Sequence, residues 1–162
     1  RRGFSARPKR SAMMHWNVTY NDPNRWNAVL AVSGPKWPWW DGILQSLKGN
    51  PLGSPKMDLV GLDGLQELQA LRDELTHRTP VNFLRTTGGI VAFTKVRLEV
   101  YAIPIKRQEL LHLKSDRSTE GADRSLLMLS FARHGNEVKL TMEGPSSASL
   151  RMEKWLTHSL AT

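Results

Sequence analysis

Leu126-Leu127-Met128-Leu129-Ser130-Phe131-Ala132-Arg133 is followed by His134-Gly135-Asn136, then by Glu137-Val138-Lys139-Leu140-Thr141-Met142-Glu143. Two apolar-rich runs about a short Gly-bearing turn predict a β-hairpin. In the second run Val138, Leu140 and Met142 alternate with Lys139 and Thr141, so one face is apolar and one polar. Gly144-Pro145-Ser146-Ser147 breaks the strand and supplies a hydroxyl for an N-cap. Beyond it, Ala148, Met152, Trp155, Leu156 and Leu160 fall on one helical face. Antiparallel strands running directly into an amphipathic helix predict an α+β domain.

Upstream, the run from Thr94 alternates as well. Val96, Leu98, Val100 and Ala102 predict a buried face, and Lys95, Arg97, Glu99 and Tyr101 a solvated one. Pro104 predicts a strand end or a sheet edge. Residues 114–124 have no apolar period and read as a mobile loop. Val81 to Arg85 is a strand candidate, and Gly88-Gly89 a bend. Leu62, Leu65, Leu68, Leu71 and Leu75 step by three or four, which predicts a helix over 61–78 closed by Pro80. Met57 to Val60 reads as a short strand, and Gly49 to Pro55 as a loop. In the first block His15 to Tyr20 and Trp26 to Val32 read as strands around an Asn21-Asp22-Pro23-Asn24 turn. Residues 36–47, with Trp37, Trp39 and Trp40, suit a strand or a helix, and these tryptophans suit a core or a subunit interface.

The chain has 162 residues and no cysteine, which excludes disulfides and thiolate chemistry. Its length predicts one domain over 13–162, and no apolar run approaches the ~20 residues of a membrane helix. The net charge is +8, which favours a polyanionic partner. Five of the 23 basic residues lie in the first ten, and no acid precedes Asp22. Residues 1–12 therefore read as a basic flexible tail with the composition of a mitochondrial transit peptide, Arg2-Gly3-Phe4-Ser5 resembling a processing site. The rest of the chain holds 18 basic residues against 15 acids, so a basic surface there depends on how those charges are grouped.

No catalytic constellation stands out. His15, His77, His112, His134 and His158 lack metal-ligand spacing, and Gly88-Gly89 lacks the Lys-Ser/Thr of a phosphate loop. The sequence reads as that of a binding protein, not an enzyme, with no metal or cofactor. Lys95, Arg97 and Tyr101 would project from one strand face ~7 Å apart, two cations and an aromatic suited to phosphates and a stacked base. Lys106 and Arg107 extend that track, Lys139 joins it if its strand lies alongside, and Arg85 ends the preceding strand candidate. An ordinary wet sheet face accounts for the same residues.

The order of strands, helix, four strands and helix resembles the Whirly-type single-stranded nucleic-acid-binding family, which includes the kinetoplastid mitochondrial guide-RNA-binding proteins. The matching stretches are Met57 to Leu75, Thr94 to Pro104, Leu126 to Arg133, Glu137 to Met142 and Ser146 to Ala161. The Lys-Gly-Lys-Ala-Ala run of the plant members is absent. The resemblance implies two antiparallel sheets, each followed by a helix, and a homo- or hetero-tetramer with a related chain. It also implies single-stranded RNA held by its backbone in the mitochondrial matrix, promoting guide-RNA/mRNA annealing for RNA editing. A structural subunit of a mitochondrial ribosome and a peripheral subunit or assembly factor of a respiratory complex are the rival readings.

Overall fold

The computed structural model describes residues 15–19, 22–49, 51–64, 71, 79–117 and 123–161. The expected tail at 1–12 and nearly all of the leucine-stripe helix lie outside these residues, although Leu71 is helical and buried. The chain is α+β. Its strands are β1 (Trp16–Asn17), β2 (Met57–Asp63), β3 (Thr79–Arg85), β4 (Gly89–Val96), β5 (Glu99–Lys106), β6 (Leu110–Arg117), β7 (Arg124–Arg133) and β8 (Asn136–Pro145). Besides Leu71, the helices among the described residues are α1 (Pro23–Ser33), α2 (Trp39–Leu47) and α3 (Ser146–Leu160), with a 3-10 turn at Arg107–Glu109.

The strands form one antiparallel sheet in the order β1-β5-β4-β3-β2-β8-β7-β6, not the two sheets expected. The physical reason lies in β2, which pairs with β3 on one edge and β8 on the other and so leaves no break. The sheet is strongly curled. β5 and β7 are five strands apart, on the order of 24 Å in a flat sheet. Yet the Arg133 guanidinium at the end of β7 donates to the Pro104 carbonyl of β5. α3 fills the inside of the curl. Met152, Trp155, Leu156 and Leu160 pack there with Phe83, Ile103, Ile105, Leu127, Phe131, Leu140 and other inward residues. Each such side chain contributes roughly 1.5–3 kcal/mol by leaving water. α1 covers the outer face, where Val29 and Trp26 meet Val91, Phe93, Val100 and Ala102.

The β7–β8 hairpin and the apolar stripe of α3 follow the sequence reading. His134 (φ 51) and Gly135 (φ 78) take the positive φ that a tight two-residue turn demands. Several other expectations are corrected. Trp26 to Val32 is helical, because the Asp22 carboxylate accepts the Asn24 N–H at 2.9 Å, Pro23 opens the first turn, and Gly34 ends the last. Gly61 to Asp63 continue β2 instead of starting a helix, and Pro80 lies within β3. Lys114 to Arg117 and Arg124 belong to strands, their backbones paired in the β6–β7 ladder and that of β7 with β8. α3 has no side-chain cap: Pro145 precedes it, and the Ser146 N–H donates to the Asp123 carbonyl at 2.7 Å.

Thr94 to Pro104 is not one strand. Arg97 and Leu98 form a two-residue turn between β4 and β5, with Arg97 at φ 56 and Leu98 85% exposed. Pro104 is interior to β5, but β1 pairs only with Tyr101 and Ala102. Among the described residues no strand pairs with that edge of β5 beyond them, so the missing N–H of Pro104 breaks no ladder bond.

Candidate nucleic-acid interface

The turn at 97–98 divides the expected basic strand face. Lys95 is exposed on β4 and pairs in register with Val100, while Tyr101 pairs with Thr94. Adjacent pairs in a ladder point to opposite faces, so Lys95 and Tyr101 lie on different sides of the sheet. Tyr101 packs against the inner core, and its hydroxyl donates to Glu99 Oε2 at 2.7 Å. Arg97 is exposed at the turn. Lys106 is exposed at the end of β5. Lys139 is exposed on β8, four strands away along the sheet, in register with Asp63 and Ser130. Together these residues form no continuous track.

Arg85 and Arg107, by contrast, line one pocket. The Thr86 N–H donates to the Gly89 carbonyl, closing the bend between β3 and β4, and the Arg107 N–H donates to Gly88 at 3.0 Å. Gly89 is needed at this approach, since a Cβ there would stand 2.0 Å from the Ile105 carbonyl oxygen. The bend also holds the segment after α1. The Thr86 hydroxyl donates to the Ser33 carbonyl at 2.6 Å, the Gly88 N–H donates to the same carbonyl, and Lys36 bridges to Thr86. Trp37 is thereby set beside the ends of β3 and β5. A second segment, 51–54, runs along β3. The Arg85 N–H donates to Leu52 O at 2.8 Å and the Ser54 N–H to Phe83 O at 2.9 Å. Trp155 of α3 seals it by donating Nε1–H to Pro51 O at 2.8 Å while its ring lies 6.2 Å from that of Phe83.

Two adjoining pockets result. One, of about 510 Å³, is lined by Trp37, Gln45, Lys48, Arg85, Thr87, Arg107, His158 and Ser159. The other, of about 480 Å³, is lined by Gly49, Pro51, Pro55, Arg85, Arg151, Lys154, Trp155 and His158. Arg85 and His158 belong to both, so the two make one cleft. Among the described residues no carboxylate lines either. Arg85 is buried; its Nε donates to Ser159 Oγ at 3.1 Å and its Nη2 to Pro51 O at 3.4 Å. Burial lowers the pKa of its guanidinium below the ordinary arginine value. Trp37 Nε1 and Arg107 Nε are buried donors with no hydrogen-bond acceptor among the described residues. Leaving such a donor unpaired costs about 1–3 kcal/mol.

The sequence reading reached Arg85 and Arg107 but assigned them to a sheet face. It passed over Lys48, Arg151, Lys154 and His158 as cleft residues. Arg151, Lys154 and His158 are spaced by three and four, which places them on one side of α3. That spacing is a signal of a basic helix stripe, but nothing local says which elements it faces. Among the described residues no three His, Asp or Glu side chains cluster to hold a metal, and no helix is long and apolar enough to cross a membrane. No family model and no curated protein matches the chain.

Proposed function

We propose that this protein binds single-stranded RNA, without sequence specificity, by capturing its phosphate backbone in the cleft between α2, the ends of β3 and β5, and α3. The observation that carries this reading is the gathering of Lys48, Arg85, Arg107, Arg151, Lys154 and His158 around one cleft whose lining, among the described residues, contains no carboxylate. Part of that charge answers the negative pole at the C-terminal end of α3. The charges of Lys48 and Arg107 complement a phosphate at the other end of the cleft. Trp37 and Trp155 border the same cleft, and an indole face supports a base without selecting its sequence.

A Whirly-type relationship, a mitochondrial matrix location and the annealing of guide RNA to mRNA belong to this proposal. They are supported by the strand-to-helix order at 136–160 and by the basic, acid-poor residues 1–10. The tetramer belongs to it also. The apolar stripe of α3 is consumed within its own sheet, so it does not serve a subunit contact. The exposed Trp40, Ile43, Leu44 and Leu47 on α2 offer an apolar face in its place. That same face favours the second reading, a subunit held in a larger assembly such as the mitochondrial ribosome. Gel filtration separates the two: a stable free oligomer suits the first, a monomer or an aggregating chain the second.

The test is a titration of a single-stranded RNA 20-mer across a salt series. Each phosphate contact releases counterions, so log K should fall linearly with log salt, by about 0.7 per contact. The double change Arg151→Ala, Lys154→Ala should weaken binding more than Lys95→Ala, Arg97→Ala. Removal of residues 1–12 should leave most of the affinity. Salt-independent binding, or complete loss on removing residues 1–12, would overturn the cleft as the binding surface.

A further inference from the structure

We propose that the half of the cleft walled by Trp37, Lys48, Arg85, Arg107 and His158 receives the terminal phosphate of the bound strand, a phosphomonoester and not an internal diester. This rests on the RNA-binding reading above and narrows it to recognition of a strand end. Three features of the pocket select that ligand.

The first is the pair of unpartnered groups. Trp37 Nε1 and Arg107 Nε are both donors, and both are buried in side chains that wall the same pocket. A group that satisfies them must accept and not donate, as the oxygens of an ionised phosphate do. The second feature is charge. Lys48, Arg85 and Arg107 are three cations around one site, with no carboxylate in its lining among the described residues. A diester offers one negative charge and two free oxygens. A monoester offers nearly two charges and three oxygens, which better matches this donor set.

The third feature is shape. Arg85 and Ser159 are buried at the base of the pocket, and the 86–88 bend and last turn of α3 close it on two sides. A volume of about 510 Å³ is that of a small-ligand pocket and holds one terminal nucleotide with its phosphate. A chain end enters such a recess directly. An internal phosphate would have to carry nucleotides on both sides into it. The next nucleotides would then run into the adjoining pocket past Arg151 and Lys154, through the shared residues Arg85 and His158.

The test uses the full chain and one 12-nucleotide RNA sequence in three forms, with a 5′-phosphate, with a 3′-phosphate, and with hydroxyls at both ends, at fixed salt. One phosphorylated form should bind at least about tenfold more tightly than the hydroxyl form, and which one does so identifies the end. Arg107→Gln should bring that ratio close to one. In unmutated protein, adenosine 5′-monophosphate should compete for the phosphorylated RNA at concentrations where adenosine does not. Equal binding of all three RNAs would overturn the end-recognition proposal while leaving the RNA-binding reading intact. Failure of every RNA to bind would overturn both. A ratio unchanged in a folded Arg107→Gln protein would overturn the pocket as the site.

Discussion

Arg133, the last residue of β7, grips Glu109 with two parallel bonds, Nε to Oε2 at 2.8 Å and Nη2 to Oε1 at 3.0 Å. Glu109 closes the 3-10 turn that links β5 to β6, and its Oε1 also accepts the Lys106 N–H at 3.0 Å. The pair therefore ties the start of β6 to the end of β7 where the sheet curls. Burial works to raise the Glu109 pKa. The hydrogen bonds from Arg133 and the Lys106 backbone, with the charges of both residues, outweigh it and hold the carboxyl below its ordinary value.

A carboxyl depressed in the folded state contributes stability above its unfolded pKa and loses it as the pH falls through the folded one. Glu109→Gln should thus destabilise the protein near neutral pH by roughly 2–4 kcal/mol, since Arg133 would keep a buried charge without its carboxylate. The deficit should shrink as the pH falls below the ordinary glutamate range. Urea denaturation at pH 7 and pH 3 checks this, and an equal deficit at both would refute it.

Val96 and Leu98 should respond oppositely to charge. Val96 is 3% exposed and faces the inner core, so Val96→Asp should unfold the domain. Leu98 sits at the tip of the β4–β5 turn, so Leu98→Asp should change stability by less than about 0.5 kcal/mol. Circular dichroism melts of the two variants make the comparison.

Trp155→Ala should cost about 3–5 kcal/mol, because it empties the space between α3 and β3. Trp155→Phe keeps the ring beside Phe83 and loses only the bond to Pro51, so it should cost roughly 1–2 kcal/mol. Similar midpoints in urea for the two variants would mean that the ring, not the hydrogen bond, carries nothing.

Gly89→Ala should prevent folding or force the 86–89 bend away from Arg107, because the added Cβ meets backbone that cannot yield as a side chain would. If the variant folds, its RNA affinity should fall with the displaced Arg107. A variant that folds and binds normally would show that the bend does not position the cleft.

The α+β class and the architecture of residues 126–160 were legible because both partners of each contact lie close in sequence. Alternation marks β7 and β8, a Gly turn joins them, and the 3.6-residue period marks α3. The same alternation misled at 94–104. A two-residue turn leaves the period unbroken, so Leu98 resembles a core residue although it projects from a turn. α1 was hidden by an aromatic and β-branched run that suits a strand. Its helix follows from the Asp22 cap, Pro23 and packing over Val91 and Ala102.

The sequence by itself determined a basic chain with alternating strands and a closing amphipathic helix. Its lack of cysteine excluded thiol chemistry. Each of these is a property of composition or of near neighbours. Only the tertiary structure decided that β2 joins all strands into one curled sheet, since each edge of a strand pairs with whatever long-range neighbour the curl delivers. It likewise decided the cleft. Lys48, Arg85, Arg107 and His158 lie on four elements spread over more than a hundred residues, and no local spacing encodes their meeting. The Gly88-Gly89 bend and the packing of α3 inside the sheet bring them together.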